Sequence, residues 1–112
     1  MLVTSSSPFT PEQLTLAKER FGIYVKTVID IQKKICSAGM DRHFEGETIL
    51  LASGSHQSDI WGGGIDLETK EIDFNSFINI RPQDNNTKNE IQSERIKKSY
   101  SELTKFFFKL VL

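Results

Sequence analysis

Residues 72–81 carry the clearest β-strand signal in the chain, because their side chains alternate largely between apolar and polar. A period of two is that of a β-strand, whose successive side chains point to opposite faces of the sheet. We therefore predict a strand that Pro82 ends, paired antiparallel with residues 61–67 through a polar turn at residues 68–70. One face would carry Ile72, Phe74, Ser76, Ile78 and Ile80, and the other Asp73, Asn75, Phe77, Asn79 and Arg81.

A second hairpin is predicted nearer the start of the chain. Residues 23–31 are rich in β-branched side chains and again alternate in polarity, as expected of a strand. After the polar residues 32–34, residues 35–38 fit the returning strand, which Gly39 ends. The two hairpins together predict one antiparallel sheet.

The first helix has clear sequence signals for its N-terminus. Thr10 can cap the helix, Pro11 suits the first helical position, and Gln13 completes a capping box. The apolar residues that follow at helical spacing, before the stop at Gly22, are Leu14, Ala17 and Phe21.

Two further helices are predicted. Residues 47–52 fit either a buried strand or two turns of helix, and their leucine and alanine content favours a helix. The last helix begins at residue 90, and its apolar stripe consists of Ile91, Ile96, Tyr100, Leu103, Phe107 and Leu110. One helix cannot hide all the apolar residues near its end, so this end either wraps the sheet or meets another subunit.

The length of 112 residues suits one hydrophobic core. Residues 1–9 are small and polar, and they predict a flexible N-terminus. Residues 10–112 predict a single α+β domain, in which two antiparallel hairpins form one sheet. N-terminal and C-terminal helices flank the sheet, and a short helix lies between the hairpins.

The composition limits the kinds of partner and the compartment that this protein is expected to have. Fourteen basic and fifteen acidic side chains leave a net charge of -1, so nucleic-acid binding is a minor reading that would need a local basic patch. Cys36 is the one cysteine, which excludes an intrachain disulfide and fits a reducing cytoplasm. Residues 1–13 lack the basic and long apolar regions typical of a secretory signal, and no segment approaches the ~20 apolar residues that span a membrane, so we predict no membrane association.

The densest group of ionisable residues, at 41–47, predicts a catalytic set. His43 would act as general base, Glu45 or Glu47 would orient it, and Arg81 would stabilise an anion. The alternatives are a solvated loop in which His43 only caps a helix, and a buried Arg81 paired with Asp30 or Asp73. The carboxylate spacing matches no established zinc or calcium motif, so neither a metal nor a cofactor is predicted.

Three consecutive glycines, residues 62–64, lie inside the predicted strand. A phosphate-binding loop follows a strand and opens a helix, and this segment does neither. Close approach of another part of the chain, a bulge or packing beneath Trp61 is therefore the favoured explanation.

The sequence resembles a family of small bacterial proteins catalogued as domain of unknown function 5674. The resemblance lies in VIDIQKKICSAGMDRHFEGETILLASGSHQSDIWGGG, then IDFNSFINIRP, then a polar loop leading to NEIQ. Its most specific pieces are residues 43–47, 54–61 and 78–82. It implies a shared site and names no reaction.

The resemblance also implies which residues form that site. Its characteristic polar and aromatic positions are Asp30, His43, Glu47, Asp59, Trp61, Asn79, Arg81 and Asn86. This chain departs from the family twice, with Glu45 in place of aspartate and with residues 85–88 in place of a Gly-Asn-Arg-Ser run. A ligand held by that loop would be held differently here.

The leading functional prediction is a cytoplasmic protein-interaction or regulatory domain, homodimeric through its C-terminal helix. It would bind a protein partner, for example as one half of a toxin–antitoxin pair. One alternative is a small hydrolase or ribonuclease that uses His43, a nearby carboxylate and Arg81. Another is a sensor in which Asp30, Asp59, Trp61, Asn79 and Asn86 bind an anion, a small molecule or a metal.

Overall fold

The computed structural model describes residues 1–19 and 22–112. In these residues it contains three α-helices and one five-stranded antiparallel sheet, which confirms the α+β class. The strands are β1 Val3–Ser5, β2 Tyr24–Asp30, β3 Ile35–Ala38, β4 Ile60–Asp66 and β5 Ile72–Asp73. The helices are α1 Pro11–Lys18, α2 His43–Ala52 and α3 Glu94–Phe107. The strand order is β1-β3-β2-β4-β5, so the hairpin arrangement differs from the simple pair of hairpins predicted.

The first hairpin, β2 with β3, forms as predicted. Asp30 pairs with Ile35 next to the turn, and Lys34 takes a left-handed conformation with φ 59°. On its other side β2 pairs with β4 along its full length, from Tyr24 opposite Asp66 to Asp30 opposite Ile60. The sheet is therefore centred on β2 and β4.

The second hairpin is shorter than its alternation predicts. Its returning strand β5 ends at Asp73, and the chain then forms 3-10 turns at Phe77–Asn79 and Pro82–Asp84. The physical reason is that the Asn79 side chain bonds the backbone of Gly62 in β4, in place of a backbone ladder. The strand predicted over residues 72–81 is therefore wrong beyond Asp73.

The chain start is not a frayed terminus in this structure. β1 pairs antiparallel with β3 at the edge of the sheet, with Val3 opposite Ala38. Phe9 is fully buried, and its ring lies 5.7 Å from the Phe107 ring and 5.3 Å from the Phe108 ring. A strand of only three residues, Val3–Ser5, is too short to show a period, which is why pattern reasoning missed it.

Helix α1 begins as the sequence predicts. Thr10 and Gln13 form the reciprocal hydrogen bonds of a capping box, with Pro11 in the first turn. Leu14 and Ala17 are buried. The third predicted apolar position, Phe21, lies outside the described residues.

Helix α2 includes the ambiguous residues 47–52, so the helical reading is confirmed, and the helix begins earlier, at His43. Helix α3 begins at Glu94 rather than at residue 90, because the Ser93 hydroxyl caps it. Phe107 and Phe108 are fully buried, although Phe108 falls off the predicted stripe.

The sheet has an apolar cluster on each face. Helices α1 and α3 pack on the first face, where the cluster contains Val25, Ile29, Trp61, Ile65, Leu14, Tyr100 and Phe107. Helix α2 packs on the second face, where the cluster contains Val28, Met40, Leu50 and Ile60. The second face is the smaller one, and it borders the candidate site.

Candidate functional site

Asn79 is a completely buried structural tie. Its Oδ1 accepts the Gly62 N–H at 2.8 Å, and its Nδ2 donates to the Gly62 carbonyl at 2.9 Å. Nδ2 also donates to the carbonyls of Phe74 and Asn89, at 3.1 and 2.9 Å. Two N–H groups shared among three carbonyls leave the amide no donor for a ligand.

The side-chain amide of Asn86, seven residues further along the chain, also bonds to several backbone groups. Its Nδ2 donates to the carbonyls of Asn79, Lys88 and Glu90 at 2.9 to 3.0 Å, and its Oδ1 accepts the Gln92 N–H at 2.8 Å. We call residues 74–92 the asparagine loop, because these two amides hold it together. The side-chain amides of both predicted ligand-binding asparagines thus bond to the backbone of the chain.

Arg81 is buried with 3% of its surface exposed, and its guanidinium lies 4.3 Å from the centre of the Trp61 ring. Its Nε bonds the Asp84 carboxylate at 2.9 Å, and its Nη1 donates to the Ile78 carbonyl at 2.9 Å. Nη2 of Arg81 and Nε1 of Trp61 have no hydrogen-bond partner within the described residues. The carboxylate that pairs with Arg81 is Asp84, in place of the predicted Asp30 or Asp73.

The two predicted aspartates lie beside the first hairpin turn. Asp30 is buried, and its carboxylate accepts the N–H groups of Gln32 and Lys33 at 2.9 and 2.8 Å and the Ser55 hydroxyl at 2.6 Å. Asp59 ends the 3-10 turn before β4, and its carbonyl accepts the Ile31 N–H at 3.0 Å. Asp30 therefore stabilises the turn between β2 and β3.

His43 is oriented by the backbone of β4. Its Nε2 lies 2.7 Å from the Gly63 carbonyl oxygen, which can only accept, so Nε2 carries the proton and Nδ1 is the acceptor of the neutral ring. Glu45 instead accepts the Arg42 N–H at 2.8 Å, and Glu47 accepts from the Gln57 amide at 3.4 Å. Neither carboxylate holds the imidazole as predicted.

The structure does not bring His43 and Arg81 together. Ile60 and Trp61 are neighbours in β4, so their side chains point to opposite faces of the sheet. Ile60 belongs to the cluster under α2, which carries His43, whereas Arg81 stacks on Trp61 in the other cluster. The proposed general base and the proposed anion-binding arginine therefore approach the sheet from different sides.

An open cleft lies next to His43, between the start of α2 and the turn at residues 76–78. Its volume is about 390 Å³. Phe44 and Phe77 form its apolar rim, with 55% and 82% of their surfaces exposed. We call it the His43 cleft, and its lining residues are Lys26, Asp41, Arg42, His43, Phe44, Ser76, Phe77 and Ile78.

Burial sets the charge state of the imidazole in this cleft. It lowers the pKa of His43 below the usual 6.5, and the positive charge of Lys26 acts in the same direction. The hydrogen bond to Gly63 and the charge of Asp73 raise the pKa, and they do not outweigh burial. At neutral pH the ring is therefore mostly uncharged, while Lys26 donates to the Asp41 carbonyl at 2.5 Å.

A tyrosine and an aspartate lie on the same side of the sheet. The Tyr24 hydroxyl donates to the Asp73 carboxylate at 2.6 Å. Burial, followed by this bond and the carboxylate charge, raises the pKa of Tyr24 well above its usual value. Tyr24 therefore stays protonated and acts as a donor.

The glycines and the cysteine have structural roles. A side chain at Gly63 would strike the Asp73 carbonyl and the Tyr100 ring, and one at Gly64 would strike the Tyr24 hydroxyl. Close approach, predicted for these glycines, is thus confirmed. Cys36 is fully buried, and burial raises the pKa of its thiol, so it behaves as a small core residue.

Sequence reasoning found one side of the cleft, residues 41–44, within the ionisable group at 41–47. It missed Lys26 and Ser76, which are far from that group in the chain, and nothing in their spacing links them to it. Phe77 did carry a signal, because it is a large aromatic residue among the polar positions of the alternating segment. An aromatic side chain in that place indicates an exposed apolar contact surface.

Two further findings concern metals and membranes. Within residues 1–19 and 22–112, no three histidine, cysteine, aspartate or glutamate side chains are grouped so that they could hold a metal ion. None of the helices in this part of the chain is both long enough and apolar enough to cross a membrane.

These features define a small α+β domain with a tied asparagine loop and an open cleft beside a histidine. A family model described as a protein of unknown function (DUF5674) matches residues 3–107. The chain belongs to this family, as the sequence resemblance predicted. No curated protein and no solved structure is significantly similar to the chain.

Proposed function

We propose that this protein is a protein-interaction domain that acts as a homodimer through the outer surface of α3. One observation carries the proposal: Phe106 has 41% of its surface exposed and lines a groove of about 460 Å³. Ile31 and Leu103 supply the other apolar walls of that groove. An aromatic residue next to an apolar groove offers a contact that a second copy can complete.

A twofold axis suits this surface. In a twofold dimer each copy presents the same patch, so Phe106 of one copy enters the groove of the other and the reverse. The groove also carries one charge of each sign, Lys34 and Glu102, which can pair across the axis without repulsion. Leu110 and Leu112, which follow α3 in the chain, are also exposed, at 57% and 45%.

The hydrogen-bond partners of the predicted catalytic residues favour a binding function over hydrolysis. Glu45 caps the start of α2, and Arg81 bonds Asp84 and the backbone of its own loop. His43 is oriented by a carbonyl, and within residues 1–19 and 22–112 no carboxylate is hydrogen-bonded to its ring. An acid–base reaction needs these groups to converge, so the hydrolase and ribonuclease readings have less support.

A regulatory role in the cytoplasm, with a second protein bound to the dimer as in a toxin–antitoxin pair, is the wider form of this proposal. The single buried and reduced Cys36 is in keeping with that compartment.

Molar mass in solution, measured by light scattering after gel filtration, tests the homodimer. We expect twice the chain mass for the wild type and the mass of one chain for Phe106→Ser. The matched control is Leu51→Ser, because Leu51 is 42% exposed on α2, away from the groove. Truncation after Lys105 is unsuitable, since Phe107 and Phe108 are fully buried and their loss would unfold the core.

A wild-type mass equal to one chain would refute the homodimer. A monomeric Leu51→Ser variant alongside a dimeric Phe106→Ser variant would move the interface from α3 to α2. Circular dichroism on each variant verifies that the fold is retained.

A further inference from the structure

We propose that a groove at the end of α3 binds an acidic segment of the protein partner. The groove is lined by Lys70, Lys105, Lys109 and Leu112, and we call it the lysine groove. The inference rests on the proposed interaction function, because it names the chemistry of the partner. It does not depend on the homodimer, since the lysine groove shares no lining residue with the groove beside Phe106.

The fold brings the three lysines to one opening from two parts of the chain. Lys105 lies in the last turn of α3, and Lys109 begins the 3-10 turn that follows this helix. Lys70 comes from the turn between β4 and β5, where its backbone is left-handed with φ 68°. Its Nζ donates to the carbonyls of Leu67 at 2.7 Å and Val111 at 2.6 Å. Lys70 therefore ties the β4–β5 turn to the segment after α3, and the groove lies where the two meet.

The lysine groove carries positive charge that the chain does not neutralise. Within residues 1–19 and 22–112, none of its three ammonium groups forms an ion pair with a carboxylate. Lys97 on the same helix shows the contrast, because it pairs with Glu90 at 3.2 Å and with Glu94 at 3.8 Å. The groove thus holds three positive charges, or two if a terminal carboxylate at Leu112 is counted. Like charges around one opening repel one another, so carboxylates of a ligand would be attracted there.

The charge of the whole chain is unevenly distributed in the same sense. Residues 94–112 contain five basic and two acidic side chains, whereas the whole chain has a net charge of -1. The positive charge is therefore concentrated on α3 and the turn after it, while the rest of the chain is acidic. A local field of this kind attracts an anionic partner to one surface, although the net charge of the chain would not.

The lining favours carboxylates on a peptide over phosphates on a nucleic acid. It contains no arginine, the residue that binds phosphate bidentately, and no aromatic ring on which a base could stack. Leu112, which is 45% exposed, and the aliphatic stems of the lysines offer apolar surface between the charges. An acidic segment with interspersed leucines would contact both the charged and the apolar parts of this lining.

The probe for the first experiment is a capped hexapeptide of sequence ELEELE, with backbone amide chemical shifts of the whole protein followed by NMR. We expect saturable shifts at residues 105–112 and at Lys70. The matched neutral peptide QLQQLQ should bind about tenfold more weakly, because it keeps the leucines and loses several ion pairs. The peptide EGEEGE, which keeps the charge and loses the leucines, should bind several-fold more weakly. Added salt should weaken the binding of ELEELE, because exposed charges are screened.

Variants assign the binding to named side chains. Lys105→Met and Lys109→Met should each weaken the binding of ELEELE about two- to fivefold, because each removes one exposed ion pair and keeps an apolar stem. Lys105→Arg keeps the charge and should bind like the wild type. The control Lys98→Met removes another exposed lysine of α3, which lies outside the lining of the groove, and should leave binding unchanged.

Four results would overturn the proposal. The first is no saturable shift with ELEELE. The second is equal binding of ELEELE and QLQQLQ, which would mean an apolar surface without charge selection. The third is tighter binding of tripolyphosphate or of a uridine hexanucleotide, which would mean a site for phosphates. The fourth is a set of shifts centred on Phe44 and Phe77, which would place the peptide in the His43 cleft.

Light scattering on the same samples separates this outcome from that of the homodimer. A wild type with the mass of one chain that binds ELEELE would refute the homodimer and support the lysine groove. A wild type with twice the chain mass that does not bind ELEELE would support the homodimer and refute the lysine groove.

Discussion

The asparagine loop and the His43 cleft, which share residues 76–78, are both rich in polar residues, but they differ in how the key side chains use their hydrogen bonds. In the loop, the amides of Asn79 and Asn86 bond only to backbone groups. In the cleft, the neutral His43 ring uses one nitrogen for Gly63 and keeps the other as an acceptor. Polar residues whose donors and acceptors are all bonded within the chain stabilise the fold. Polar residues that keep a donor or an acceptor can bind a ligand.

The largest expected effect follows from removing an amide in the loop. Asn79→Ala leaves the Gly62 N–H without its acceptor and the Gly62 carbonyl without the Asn79 donor, while the carbonyls of Phe74 and Asn89 keep one backbone N–H each. Each buried unsatisfied group costs about 1–3 kcal/mol, so we expect the free energy of unfolding to fall by about 3–5 kcal/mol. Urea denaturation measures this change.

The control for that experiment is Asn89→Ala. The Asn89 side chain is exposed, and only its backbone carbonyl takes part in the loop, so the change should stay within about 0.5 kcal/mol. Equal losses for the two variants would mean that the Asn79 amide is not the tie described above.

Local signals predicted the parts of the fold that depend on neighbours in the chain. The capping box at Thr10 and Gln13 spans three residues, and the hairpin between β2 and β3 turns over a short segment. The end of β5 depends instead on a side-chain contact between Asn79 and Gly62, seventeen residues away. No periodic pattern carries a bond of that kind.

The same limit applies to the candidate site. His43 and Arg81 both stood out because their residue types can do chemistry, but residue type does not reveal which face of a sheet a side chain reaches. Lys26 and Ser76 meet at the cleft only because β2, β4 and the 3-10 turn are packed side by side. His43 and Arg81 could thus be named from the sequence, but neither Lys26 and Ser76 nor the grouping at the cleft could be.

A smaller change in the free energy of unfolding is expected when the pH of the solution is lowered, because His43 in the cleft titrates. Burial lowers the folded-state pKa of His43 below that of the unfolded chain, about 6.5. As the pH falls below that value, the unfolded state takes up a proton before the folded state does, so the free energy of unfolding decreases. The charged groups that influence the ring are Lys26 and Asp73, with Asp41 and Arg42 also lining the cleft.

Urea denaturation of the wild type and of His43→Gln, at pH values from about 7 down to about 5, measures the effect. As the pH falls, the free energy of unfolding of the wild type should decrease relative to that of His43→Gln. His56→Gln, at an exposed histidine, should leave the slope unchanged. A wild-type slope identical to that of His43→Gln would show that the imidazole is not buried as described.

The smallest effect is expected at the rim of the cleft, where two phenylalanines from one alternating segment behave differently. Phe74 packs against Tyr100, with ring centres 6.0 Å apart, whereas Phe77 has 82% of its surface exposed. Phe77→Ser should therefore change the free energy of unfolding by no more than about 0.5 kcal/mol. Phe74→Ser should cost roughly 2–3 kcal/mol, because it removes buried ring surface. Equal losses in the free energy of unfolding would mean that both rings are buried, as in a continuous strand with two covered faces. Phe77 would then not form an exposed apolar rim.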